Sequence, residues 1–289
     1  MRSLYERAGA IAYRGCSGAR LERLLATWPE ASLRSPLERV LFRPVFSHWI
    51  RTVYLAEGDA DRREALKDLC MAGASGVAYA EEYERQGIDR GARYHDVGFD
   101  EANPQYPAMD SLLPGLPADA LIVQVGCSSG KEMAYFAERF PKLTFVGTDI
   151  DESITRRAQR VHPLPNLIFE VGRAHELPSR LPPFRPLVLY ANGSLQYVQP
   201  EHLAAMFEAL AARGRVTLVL CEPWRRSGAV IASNLRSRWR DNFSFSHDYR
   251  DYADAAGFVT AAQRVIQTAH DPASPHYETR HYFYMGTHD

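Results

Sequence analysis

Lysine is almost missing from this chain: only Lys67, Lys131 and Lys142 stand among its 34 basic residues, the rest being arginine. Those 34 are matched by 35 acidic residues, for a net charge of −1. No global attraction toward nucleic acid or an anionic membrane surface follows. Cysteine is also scarce. Cys16, Cys70, Cys127 and Cys221 lie far apart and form no CxxC pair, which argues against a disulfide framework and a structural zinc site. The 10 histidines show no metal-ligand spacing, His276 and His281 being five rather than four residues apart, and no metal is expected. No run of about 18 uncharged apolar residues is present, so nothing reads as a transmembrane helix. Arg2, Glu6 and Arg14 interrupt the start of the chain, leaving no apolar core of signal-peptide length there. These absences lead to the expectation of a cytoplasmic, soluble protein.

What is present is ordinary for a globular chain: 46% hydrophobic and 24% charged residues over 289 positions. That length suits one large domain or two smaller ones. The texture divides near residue 115. Residues 1–115 read as a mainly helical N-terminal region, a cap over the substrate or a surface for a partner. Leu21, Leu24 and Leu25 have helical spacing, as do Leu37, Val40 and Leu41 before Pro44. A longer helix is predicted over 61–86, carrying Tyr79 and Tyr83 on one face, and 88–119 reads as loop. Residues 116–289 alternate instead. Strands are predicted at 121–125, 143–150, 166–171, 186–191 and 216–221, with helices at 130–140, 152–161 and 201–213. A helix at 249–256 and a strand pair at 259–267 and 281–285 follow. The fold class is therefore α/β, a doubly wound, mostly parallel sheet with a C-terminal antiparallel strand pair.

Sheets of this kind bind ligands beyond the carboxyl ends of their strands. The first strand ends in Val125-Gly126-Cys127-Ser128-Ser129-Gly130-Lys131. A phosphate-binding P-loop needs four residues between its glycines and Ser or Thr after the lysine; here three intervene and Glu132 follows. A dinucleotide fingerprint needs G-x-G-x-x-G, which Gly126 and Gly130 do not satisfy. A bare strand-to-helix turn remains open for the glycines alone. The second strand ends in Gly147-Thr148-Asp149-Ile150-Asp151, placing an acid 23 residues after Gly126. An acid at that tip suits the two hydroxyls of a ribose, whereas Asp151 suits a helix cap.

On these motifs the chain resembles the class I S-adenosylmethionine-dependent methyltransferases over roughly residues 115–289. The resemblance continues through Phe169-Glu170-Val171-Gly172-Arg173-Ala174, residues 187–192 and 216–223, and Ala256-Gly257-Phe258. It implies S-adenosyl-L-methionine as cofactor. Gly126, Cys127, Ser128 and Gly130 would lie against its methionine moiety, and Asp149 with Ile150 at its ribose. Arg173 with Ala174 would lie at its adenine, and Asn192 would face the sulfonium and the acceptor. The sequence departs from the family pattern in three places: Gln124 stands where an acid is usual, Ser128 where a glycine is usual, and Arg173 where an Asp is frequent.

The function implied is a methyltransferase acting on a small, anionic acceptor, with no nucleic-acid partner. The alternative is a non-catalytic adenosyl-binding or regulatory domain whose helical N-terminus recognises a partner. A nicotinamide-dependent oxidoreductase is disfavoured by the glycine spacing. Methyl transfer is an in-line displacement in which alignment does most of the work, so the sequence names no catalytic residue. His175 and Tyr197 sit where a general base would, and both also suit packing. Residues 224–240 hold five arginines and no acid, namely Arg225, Arg226, Arg236, Arg238 and Arg240. They are read either as contacts to an anionic acceptor or as a solvated basic helix face, since Arg236 and Arg240 have i, i+4 spacing.

Overall fold

A computed structural model describes residues 58–72, 104–224, 229–231, 234–239, 244–267 and 280–289. The chain divides into two compact units, Met1–Asp96 and Val97–Asp289. In the first, helix α1 (Ala60–Ala72) begins where Asp59 Oδ1 accepts a hydrogen bond from the Arg62 N–H at 2.9 Å. The expected helices around Leu21 and Leu37, and Tyr79 and Tyr83, lie outside the described residues.

The second unit opens with α2 (Gln105–Leu112), a helix inside the span read from sequence as loop. Its proline, Pro107, falls in the first turn, where a missing N–H is tolerated. Then come β1 (Leu121–Val125), α3 (Lys131–Arg139), β2 (Thr144–Asp149), α4 (Glu152–Val161) and β3 (Leu167–Val171). The short α5 (Leu177–Arg180), β4 (Leu187–Asn192), α6 (Pro200–Arg213) and β5 (Val216–Trp224) follow. Three short strands, β6 (Ala229–Ile231), β7 (Asn234–Trp239) and β8 (Phe245–His247), lead to α7 (Tyr249–Ala255), β9 (Val259–Gln267) and β10 (Arg280–His288).

The main sheet has the order β3-β2-β1-β4-β5-β10-β9. β1 to β5 are parallel, and β10 is antiparallel to both β5 and β9. Strands buried on both faces read as nearly continuous apolar runs, as in β1, interrupted only by Gln124, and β4, ending in Asn192. One face carries Leu203, Met206, Phe207 and Leu210 of α6 with Tyr249, Tyr252 and Ala253 of α7. The other carries Met109 of α2, Met133, Phe136 and Ala137 of α3, and Ala158 of α4. The parallel order reverses beside β1, whose neighbours are β2 and β4, so the tips of these three strands converge on one crevice.

β6, β7 and β8 form a separate antiparallel sheet, order β6-β7-β8. This corrects the reading of a basic helix face at Arg236 and Arg240: β7 is a strand at Arg236. Arg236 is exposed, Ser237 fully buried and Arg238 half-buried, a period of two rather than 3.6. Arg236 places its guanidinium 5.6 Å from the centre of the Tyr252 ring. Arg225, Arg226 and Arg240 lie outside the described residues.

Candidate functional site

The turn after β1 is built by backbone conformations that side chains resist. Gly126 and Gly130 have φ of 67° and 75°, and Ser128 between them has φ of 48°. The turn is closed by Gly130 N–H donating to the Cys127 carbonyl at 2.9 Å and tied to β2 by Cys127 N–H donating to Thr148 O at 2.8 Å. Gly130 opens α3. A Cβ there would fall 2.5 Å from Phe169 Cε1 and 3.1 Å from Ala158 Cβ, so this glycine lets β3 and α4 close against the turn. Its lack of a side chain is used for packing, in addition to whatever room it leaves a ligand. Cys127 is buried in the core, and burial followed by the nearby Asp149 charge pushes its thiol far above the usual range.

Asp149 ends β2. Its Oδ2 accepts from the Ser128 N–H at 3.1 Å and its Oδ1 from the Asp151 N–H at 3.2 Å, while Asp151 itself accepts from the Ile154 N–H at the start of α4. Burial raises the Asp149 pKa, and the two backbone donors partly offset the rise. Ile150, next to it, is 60% exposed, which is unusual for a large apolar side chain. The turn after β3 reaches the same place, because Gly172 N–H donates to Asp149 O at 2.9 Å. Arg173 caps the 3₁₀ turn Ala174–Glu176, and Ala174 is buried. Nearly all the residues predicted from sequence therefore stand on three adjoining loops, after β1, β2 and β3.

Asn192 ends β4, beside the tip of β1, where Val125 pairs with Ala191. It joins a cluster the sequence reading did not identify. Glu132, on the first turn of α3, accepts from Asn192 Nδ2 at 2.7 Å and from the Tyr106 hydroxyl on one oxygen, and from Gln124 Nε2 at 2.6 Å on the other. In the sequence Glu132 stands out only as the residue that breaks a P-loop pattern. Tyr190, fully buried nearby on β4, has its hydroxyl pKa driven well up by burial and then by the Glu132 charge.

The loop beyond Asn192 is held by Glu222, a fully buried carboxylate on β5. It accepts from the backbone N–H groups of Ser194, Leu195 and Gln196 at 3.1, 3.0 and 3.3 Å. Ser194 in turn donates its hydroxyl to Val125 O at 2.6 Å, joining this loop to the glycine turn. His175 stacks on His202 with ring centroids 4.2 Å apart, and Tyr197 is 42% exposed on the 3₁₀ turn Leu195–Tyr197.

Residues 122–215 match the family model described as a methyltransferase domain. Trans-aconitate 2-methyltransferase of Deinococcus radiodurans is 36% identical over 113 residues, 37% of this chain and 41% of that protein. The enzyme of the same name from Variovorax paradoxus is 35% identical over 126 residues, 41% of this chain and 46% of that protein. The chain thus spans less than half the length of either relative. A TehB-like S-adenosylmethionine-dependent methyltransferase structure from Corynebacterium glutamicum covers 74% of this chain at 15% identity, with a TM-score of 0.46. The glycine turn and the acid at the second strand tip thus both lie within the segment, residues 122–215, that is similar to the methyltransferase domain family.

Proposed function

We propose that this chain transfers a methyl group from S-adenosylmethionine to a small acceptor that carries carboxylate groups. The observation that carries the reading is the convergence of three loops around Asp149. Its carboxylate is pinned to the glycine turn through Ser128, and its backbone carbonyl is pinned to the turn that contains Ala174. The cofactor supplies an activated methyl on a cationic sulfur, and the protein's part is binding and alignment.

The residues present fit that group. Asp149 retains lone pairs beyond the two backbone donors it accepts from, and these suit ribose hydroxyls. Ile150 offers an exposed apolar face beside it, and Ala174 a small one. Gln124, 2% exposed, keeps a side-chain carbonyl with no hydrogen-bond partner among the described residues, an acceptor that a bound ligand with N–H groups would satisfy. Holding the donor in this cradle excludes water and leaves the acceptor to approach over the tips of β4 and β5.

The acceptor class draws on two supports. Both relatives are named for methylation of trans-aconitate, a small polycarboxylate. The arginine-rich stretch also begins at the end of β5, and Arg236 and Arg238 stand on the small sheet whose β8 follows into α7. Guanidinium groups bind carboxylates in a forked, bidentate way. The test is calorimetry with S-adenosylmethionine and S-adenosylhomocysteine, followed by turnover with trans-aconitate and other di- and tricarboxylates. Cofactor binding with methyl transfer to a carboxylate supports the reading. Binding without turnover on any acceptor favours the non-catalytic adenosyl-binding alternative, and no binding removes both.

A further inference from the structure

The crossover from β3 to β4 departs from the other parallel crossovers. α3, α4 and α6 run for 9, 10 and 14 residues, whereas α5 has 4. Parallel strands want cover on both faces. β2 and β3 have it on one, where Phe145, Leu167 and Phe169 pack with α3 and α4. On the other face Val146 and Ile168 are register partners, and the short α5 does not close over them. Val146 is half-buried and Ile168 is 49% exposed. The end of the same crossover is held in an unfavourable shape. Phe184 has φ of 64°, a conformation bulky residues rarely adopt, and is 84% exposed, so no packing offsets the strain. Two guanidinium groups fix it there. Arg213 donates to the carbonyls of Pro182 and Arg185 on either side of Phe184. Arg185 donates to Asp119 O at 2.7 Å and to Thr144 Oγ1 at 3.4 Å, which sets the loop beside the start of β2, on the face that Thr144 shares with Val146.

The charges at this place are one-sided. Burial and then the neighbouring Arg185 charge pull the Arg213 pKa down, and among the described residues neither arginine pairs with a carboxylate. The acid on the open face, Glu170, already faces Arg180 at 3.8 Å. Backbone strain that the surroundings maintain, an uncovered sheet face and two unneutralised cations thus meet at one crossover. We propose that this face is the docking site for an amphipathic helix of a partner protein. Its apolar stripe would seat on Val146, Ile168 and Phe184, and its acidic residues would lie beside Arg185 and Arg213. A helix is the element that layers onto parallel strands, and carboxylates match guanidinium groups in a forked geometry. A lipid surface fits less well, because it is recognised by clusters of about four or more cations and two flank this loop. Docking here does not depend on what the crevice at the strand tips binds.

The test is selection on the full chain from a display library of helical peptides, about 15 residues long and random along one face. Enriched sequences should carry Leu or Ile at i, i+3, i+4 and i+7, with Asp or Glu beside that stripe. A labelled peptide of this kind should bind Ile168→Ser and Phe184→Asn about tenfold to a hundredfold more weakly than wild type. Asparagine accepts a positive φ, so Phe184→Asn should keep or raise the urea midpoint while it loses the peptide, a combination that misfolding would not produce. No enrichment, enrichment of basic sequences, or peptides that bind both variants as well as wild type would overturn the assignment. So would a lower urea midpoint in Phe184→Asn, since the ring would then serve the fold. Wild-type binding to phosphatidylglycerol vesicles, lost in both variants and with no peptide enriched, would give the face to a lipid surface instead.

Discussion

The backbone N–H of Ser128 donates to the Asp149 carboxylate at 3.1 Å, so the acid at the tip of β2 holds the glycine turn of β1 in place. Asp149 therefore has two roles that mutation should separate. Asp149→Ala should weaken S-adenosylhomocysteine by about tenfold to a hundredfold and also lower stability by about 1–3 kcal/mol, because the Ser128 and Asp151 N–H groups lose their acceptor. Asp149→Asn keeps one acceptor oxygen and should show most of the affinity loss with a smaller drop in melting temperature. Equal affinity in both variants and wild type would remove the ribose role.

Gly130 is predicted to be sensitive for reasons of packing. Gly130→Ala forces a side chain to a φ of 75° and into the Phe169 ring. The strain and the overpacking together amount to roughly 2–4 kcal/mol. In a Phe169→Leu background part of that penalty should vanish, a coupling that urea denaturation of the two single variants and the double variant would reveal. Additive effects would show that Phe169 does not limit the space.

Glu222→Gln leaves one oxygen to serve three backbone N–H groups, since the new amide nitrogen can only donate. A loss of about 1.5–3 kcal/mol is expected, read by chemical denaturation. Amide hydrogen exchange should speed up at residues 194–196 ahead of the rest of the unit. Unchanged exchange there would mean the loop is held by other contacts.

His247 sets an acid limit on stability. It is fully buried, its Nδ1 lies 2.7 Å from Ser237 Oγ, and burial lowers its pKa to about 3. Above pH 6.5 the ring is neutral in both folded and unfolded chains and contributes no pH dependence. Between about 6.5 and about 3 the unfolded chain takes up a proton that the folded chain refuses. Stability should then fall by as much as about 1.4 kcal/mol per pH unit as the pH drops. His247→Gln should flatten the slope in this window relative to wild type, and identical slopes would show that the folded chain accommodates the charge.

The alternating strands and helices from β1 to β5 are legible because parallel strands are buried on both faces, so Leu121–Val125 and Leu187–Asn192 are apolar nearly throughout. The small sheet is not, because its inward positions are polar. Ser237 donates to or accepts from both His247 and Tyr252 at 2.7 Å, so a hydrogen-bonded cluster replaces the apolar stripe that periodicity would detect. Helix α2 is hidden by Pro107 and by its place in a Gly- and Pro-rich stretch. The loops after β1, β2 and β3 are readable since their glycines and acid have fixed spacing. Glu132 is not, because its role depends on Asn192, 60 residues away. The available signal was Gln124: an amide buried at a strand tip needs partners, and an acid one helical turn past the glycines is within reach.

The position of β10 has a consequence for the growing chain. β10 lies between β5 and β9 and pairs with both along most of its length. During synthesis β9 leaves the ribosome before β10 exists, so it can find no place on the sheet, and β5 waits with one side of its backbone unpaired. β10, made after both, is a wedge that satisfies β5 and β9 at once. Until it docks, the parallel half of the sheet with its glycine turn is complete while its far margin is open. The interval in which this chain is most exposed to pairing with the wrong neighbour is thus set by the passage of the few tens of residues that follow β9.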